Sequence, residues 1–177
     1  MARIKRSDTV GHRLDFAAIC NARDLRTAVE VGTDRGIFAA DFLERWRGEL
    51  LYCVDPWVPY PQMPWLRDGD LAMAAALLAP HARRVRIVRA TSADAARWLG
   101  MMDFVYIDGS HAFSDCAADL ELWWPSVRPG GLLAGHDFDE EHHEVKAAVM
   151  EFAGRHGLTV EFGTEYNAPP SWYFEKS

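Results

Sequence analysis

Four residues of the kind that move protons or hold cations fall in two short strings of this chain. Asp108 and His111 close Asp103–His111, and His136 and Asp137 lie near the end of Pro129–Phe138. Brought to one place, two carboxylates and two imidazoles could do either of two jobs. Asp108 and Asp137 could hold a hard divalent cation such as Mg²⁺, completed by water and substrate oxygens. Such an ion would lower the pKa of a hydroxyl next to it and orient that hydroxyl. Alternatively His111 acts as a general base without metal, because imidazole titrates near neutrality. A capping or core role is the plainer alternative for both histidines.

Two more acids stand at telling places. Glu30 precedes a glycine-punctuated turn, Val31-Gly32-Thr33-Asp34-Arg35-Gly36, that links a β-branched run to an amphipathic stretch. This reads as strand, tight turn and helix start, an arrangement that presents backbone N–H groups and a helix dipole to a ligand. Gly32 and Gly36 let the chain bend and let a ligand approach without meeting a Cβ. The spacing is G-x-x-x-G, not the G-x-G-x-x-G of dinucleotide sites. A carboxylate at position 30 would repel a pyrophosphate and suits a ligand with cationic groups. Asp55 ends the next strand, where an acid can accept both vicinal hydroxyls of a ribose; a turn-forming Asp-Pro is the competing reading. Thr91 and Ser92 offer hydroxyls at a third strand tip, for an adenine edge or as the N-cap of the following helix.

These residues need strands to carry them, and hydrophobic periodicity supplies the strands. After a helix near 12–22, strands are expected at 27–31, 50–54, 85–89, 104–107 and 131–134. Helices fall at about 36–46, 69–79, 93–99, 112–124 and 141–154, and two final strands at 158–162 and 171–175 can pair antiparallel across a short polar connection. Repeated βα units with right-handed crossovers predict an α/β fold, a doubly wound, mainly parallel sheet with helices on both faces. In such sheets ligands bind outside the carboxyl ends of the strands, where every residue named above sits. The run Asp139, Glu140, Glu141, His142, His143, Glu144 can look like a metal cluster, but its expected role is the charged first turn of an exposed helix. The aromatic and proline-rich stretch 57–65 follows Asp55, and reads as a semi-rigid lid over a small-molecule acceptor or as packing for a loop or homodimer contact.

A chain of 177 residues, 49% hydrophobic with seven tryptophans, suits one domain spanning 1–177. A formal charge of −7 argues against nucleic-acid partners, and the basic strings at 3–6 and 83–86 are explained by a solvated surface. Cys20, Cys53 and Cys116 form no C-x-x-C pair and read as buried thiols of a reducing, cytoplasmic compartment. No signal-like or membrane-length apolar run is present, so no membrane partner is expected.

Four motifs in order resemble class I S-adenosylmethionine-dependent methyltransferases, and more narrowly the catechol and macrocin O-methyltransferase-like small-molecule branch. They are 29–36, 54–57, 105–111, and Pro129-Gly130-Gly131 with His136-Asp137. The resemblance implies a seven-stranded sheet of order 3-2-1-4-5-7-6 with the last strand antiparallel. It implies cofactor binding by Glu30, Gly32, Thr33 and Gly36 around the methionine part, Asp55 at the ribose, Ser92 at the adenine, and Asp108 beside them. Metal-dependent members carry an Asp at position 108 and an acidic-acidic or Asp-Asn pair after the fifth strand. Here that pair is His136-Asp137, so the implied metal ligands are Asp108, His136 and Asp137, and the nitrogen of His136 suits a transition metal better than Mg²⁺. The implied activity is methyl transfer to a small-molecule hydroxyl, activated by Asp108 and Asp137, with or without a divalent metal, or by His111. A nicotinamide-dependent oxidoreductase and a non-catalytic binding module remain as alternatives on the same fold.

Overall fold

The computed structural model describes residues 2–59, 68–163 and 169–177. Most of the 57–65 stretch, and part of the connection between the last two strands, lie outside the described residues. Among the described residues no helix is long and apolar enough to cross a membrane.

The strands are β1 (Arg3–Arg6), β2 (Thr27–Val31), β3 (Leu50–Asp55), β4 (Val85–Arg89), β5 (Met102–Ile107), β6 (Val127–Gly135), β7 (Thr159–Phe162) and β8 (Trp172–Glu175). Between them run α1 (Asp15–Ala22), α2 (Ile37–Arg45), α3 (Asp68–Leu78), α4 (Ser92–Trp98), α5 (Phe113–Trp123) and α6 (His143–His156). The sheet order is β4-β3-β2-β5-β6-β8-β7-β1, with β8 alone antiparallel to its neighbours. The expected order is therefore present, with a correction: the sheet has eight strands, not seven. The extra strand, β1, pairs parallel with β7 from Arg3↔Thr159 to Arg6↔Phe162. All four of its residues are exposed, so it shows no apolar alternation, and its basic string masks an edge strand. Lys5 Nζ reaches Glu161 Oε2 at 3.2 Å across that pairing.

Alternation along β2 sends Val29 and Val31 into the core beneath α4, α5 and α6, and Ala28 and Glu30 toward α1 and α2. The second face is aromatic: Phe38 stacks on Tyr106 with ring centroids 4.2 Å apart, and Phe16 packs against Phe104 at 5.5 Å. The three thiols are all buried, as expected. The chain runs outward from β2 to β4, then returns to lay β5 against the other side of β2. That reversal opens a crevice between the ends of β2 and β5.

Gly32 shapes the crevice. Its φ is +92°, and a Cβ there would stand 2.2 Å from the Asp108 carbonyl oxygen and 2.6 Å from Gly109 Cα. The β2 and β5 tips can touch only because position 32 has no side chain. Gly32→Ala is expected to lower stability by at least about 1–3 kcal/mol, the cost of one residue held in a disfavoured backbone region. Denaturant unfolding measures this, and a wild-type midpoint would contradict the close approach.

Candidate functional site

Two clefts meet at Gly32 and Gly109 along the carboxyl edge of the sheet. The larger, about 450 Å³, is lined by Asp55, Thr91, Ser92, Ser110, Asp115 and Asp119, among others. The smaller, about 270 Å³, is lined by Arg13, Glu30, Thr33, Phe38, Asp108, His111 and Asp137, among others. The predicted site residues thus come together on one edge, Gly36 standing behind the turn where its Cβ would press on Ala74 of α3.

In the larger cleft Asp55 is held from behind. Its Oδ2 accepts the Asp34 N–H at 3.0 Å and its Oδ1 the Trp57 N–H at 2.6 Å. Burial raises its pKa, and these two N–H groups oppose the rise. Trp57 is itself bonded through Nε1 to the Asp34 carbonyl at 2.8 Å and is 1% exposed. Its ring is core packing, whatever the rest of the 57–65 stretch does. At the third tip Thr91 is the N-cap, its hydroxyl accepting the Asp94 N–H at 3.1 Å. Ser92 Oγ accepts the Trp123 Nε1–H at 2.9 Å and donates to Asp119. Its hydroxyl is therefore spoken for, and the group it presents to the cleft is the Ser92–Asp119 pair. Burial pushes the Asp119 carboxyl up to about 6.

The smaller cleft begins at Glu30, which is buried and accepts the Thr33 hydroxyl at 2.9 Å. Burial raises its pKa well above the usual range, and the nearby Asp108 adds to the rise. A cationic ligand would relieve both effects. The first turn of α2 borders this cleft with N–H groups that have no preceding carbonyl to bond. Arg13 places its guanidinium 5.5 Å from the Phe38 ring centre and Nη1 3.5 Å from Asp108 Oδ2. Burial pushes Asp108 up to about 6.

At the far end Asp137 is a hub. Its Oδ2 lies 3.0 Å from His111 Nε2, and its Oδ1 lies 3.0 Å from His136 Nδ1 and 3.7 Å from His142 Nε2. Burial alone would raise its pKa; the two histidine hydrogen bonds outweigh it and hold the carboxyl far below its usual value. The same bond to Asp137 raises His111. Asp137 has φ +62°, and Asp34 and Trp57 are also left-handed, at 48° and 46°. Disfavoured backbone thus collects at the ends of β2, β3 and β6, as it does at functional edges.

Four contributors were not singled out from the sequence for the parts they play here: Arg13, Asp119, Asp139 and His142. Asp119 carried a weak signal, as an acid on the apolar-striped helix α5. His142 and Asp139 belong to the charged run expected to be a solvated first turn. Instead α6 starts at His143, and the two residues turn back toward Asp137, with His142 Nδ1 2.9 Å from Asp139 Oδ1.

A family model described as "Methyltransferase domain" matches residues 29–138. No curated protein matches the sequence. Among solved structures, the O-methyltransferase from Bacillus cereus in complex with SAH superposes with a TM-score of 0.71 at 13% identity, over 96% of this chain and 84% of that one. TomG, the O-methyltransferase of tomaymycin synthesis from Streptomyces achromogenes, in complex with SAM, gives 0.68 at 14%, over 96% and 83%. Precorrin 8W decarboxylase from Methanobacterium thermoautotrophicum gives 0.65 at 16%, over the whole of both chains. At such identities the likeness is one of fold.

Proposed function

We propose, from the premise that this chain belongs to the methyltransferase-domain family, that it transfers a methyl group from S-adenosylmethionine to a hydroxyl of a small molecule. The observation that carries this reading is the pair of contiguous clefts, one backed by Asp55 and the other running from Glu30 to the Asp137 hub.

The residues present fit the cofactor. Asp55 has an unused lone pair on each oxygen for the two ribose hydroxyls, because each oxygen accepts a single backbone N–H. The Ser92–Asp119 pair lies in the same cleft, placed for an exocyclic amine of adenine. Glu30 and Asp108 offer anionic charge to an ammonium, while Gly32, Thr33 and the open N–H groups at the α2 start suit a carboxylate. When bound, the cofactor supplies an electrophilic methyl carbon and a neutral leaving group.

The rest falls to the protein's own side chains. Aligning two reactants in a shaped site can remove roughly 7–11 kcal/mol of barrier. The acceptor hydroxyl must also lose its proton. His111 is the group placed to take it, since it lines the cleft and Asp137 fixes its ring through Nε2. Asp108 lines the same cleft and is the second candidate to hold the hydroxyl. An oxidoreductase reading gains nothing from the site, because a nicotinamide dinucleotide would set its pyrophosphate against Glu30.

Calorimetric titration tests the reading. S-adenosylhomocysteine is expected to bind stoichiometrically and NAD not at all; the reverse result would overturn it. An acceptor screen of catechols, glycosides and amines then reads methyl transfer directly, and product on amines alone would contradict the hydroxyl assignment.

A further inference from the structure

We propose that His111, Asp137 and His142 form a binding site for a divalent transition-metal ion, with Asp139 holding His142 in place. The inference deepens the proposed function, and rests on it for what the ion would do but not for whether the ion binds.

The donor atoms of these three side chains all lie within 4.8 Å of one another. The ligand atoms of a zinc-class ion stand about 2.0–2.2 Å from the metal, hence roughly 3–3.5 Å from each other in a tetrahedral set. His111 Nε2 lies 3.0 Å from Asp137 Oδ2 and His142 Nε2 3.7 Å from Asp137 Oδ1. The two nitrogens thus approach opposite oxygens of one carboxylate, and small side-chain rotations would close the three around an ion. The two imidazole rings stand edge to face, 5.1 Å apart at 86°, and both direct Nε2 at one carboxylate.

His142 supplies the second argument. Its Nδ1 and its backbone N both lie against Asp139 Oδ1, at 2.9 and 2.8 Å. An ionised carboxylate only accepts, so Nδ1 donates to it, and the neutral ring carries its proton there. Carboxylate-to-histidine bonds of this kind orient metal-binding imidazoles and fix their tautomer. The remaining nitrogen, Nε2, then turns a lone pair toward Asp137 across a gap too wide for a hydrogen bond. Two electron-rich atoms facing each other at that distance favour a cation between them. Asp137 also takes the left-handed backbone that aims its carboxylate into the group.

Two nitrogens and one oxygen make a borderline donor set, which selects a zinc- or cobalt-like ion over Mg²⁺. His111 and Asp137 line the smaller cleft, so an ion between them is reachable by a hydroxyl there. An ion held there would make His111 a ligand in place of a base, and would supply a lowered pKa to a hydroxyl beside it.

Co²⁺ titration of the chelator-treated, full-length protein tests this through the visible absorption of nitrogen-ligated cobalt. One equivalent is expected to bind, unaffected by excess Mg²⁺. His142→Ala should weaken binding more than tenfold, and Asp139→Asn by about 10- to 100-fold, the usual loss for an outer carboxylate. His143→Ala, at an exposed neighbour, should change nothing. The melting temperature of each variant is recorded, and Asp139→Asn carries the test if His142→Ala does not fold. No saturable absorption, displacement by Mg²⁺, or full affinity in both the His142 and Asp139 variants would overturn the proposal. Loss confined to Asp108→Asn and His136→Ala would also overturn it, by moving the ion to the second cluster those residues form with Asp137. S-adenosylhomocysteine is titrated into the same samples. Failure of cobalt with intact nucleoside binding strikes the metal site alone, whereas failure of the nucleoside strikes the proposed function.

Discussion

Asp55→Ala is expected to weaken S-adenosylhomocysteine binding by one to two orders of magnitude. Losing a single hydrogen bond to a charged acceptor costs about 1.5–3 kcal/mol, and the ribose would lose at least one. The same carboxylate also holds the Asp34 and Trp57 N–H groups, so alanine loosens the β2 and β3 turns as well as removing the ligand contact. Asp55→Asn separates the two effects. It keeps one carbonyl oxygen for one of the two turn N–H groups and sets its NH₂ against the other, so its melting temperature should fall less than that of Asp55→Ala while affinity falls as far. Calorimetry on both variants reads the difference. Wild-type affinity in Asp55→Ala would end the ribose assignment and, with it, the placement of the cofactor.

The second large effect belongs to the hub. Asp137→Asn should lower kcat by about 10²–10⁴, the usual contribution of a positioned acid–base system, with cofactor affinity unchanged. The substitution suits a mechanistic test because asparagine tolerates left-handed backbone as well as aspartate does, and Asp137 sits at φ +62°. What changes is charge. His111 would lose the carboxylate that fixes its ring, 3.0 Å away, and His136 and His142 would lose their shared anion. His111→Ala should cost a similar factor, with or without added metal, since the imidazole is base in one state and ligand in the other. If both variants turned over at the wild-type rate, proton removal would have to lie elsewhere in the cleft, with Asp108 next to be tested.

These expectations differ in how far they could be read from residues alone. The place of Asp55 was legible because what specifies it is local. An acid closing the apolar run Leu50 to Val54, 25 residues after Glu30 in the chain, stands at the tip of the strand beside β2. The turn at Gly32 was equally legible, although the reason for glycine was not. Sequence suggested ligand approach, whereas in the fold the Asp108 carbonyl fills the space a Cβ would need.

β1 was missed because an edge strand exposed along its length needs no apolar alternation; its pairing comes from backbone bonds that any residues can make. Trp57 shows the converse. An aromatic beside prolines reads equally as a semi-rigid lid or as packing, and the fold chooses packing: the residue is buried and its indole N–H holds the Asp34 carbonyl.

His142 and Asp139 mark the limit most clearly. In sequence they belong to a charged run whose average behaviour is solvation, and nothing local distinguishes His142 from His143. The two differ only in direction, set by where α6 begins and by the turn that Asp137 makes at the end of β6. The sequence alone, then, determined the strands from β2 to β8 and the acids at their tips, because hydrophobic patterning and turn chemistry are short-range rules; their order across the sheet came from the family resemblance. The tertiary structure decided which polar groups converge on Asp137, which hydroxyl is already bonded, and where the chain touches itself. Those facts depend on angles between distant segments, to which no spacing along the chain is sensitive.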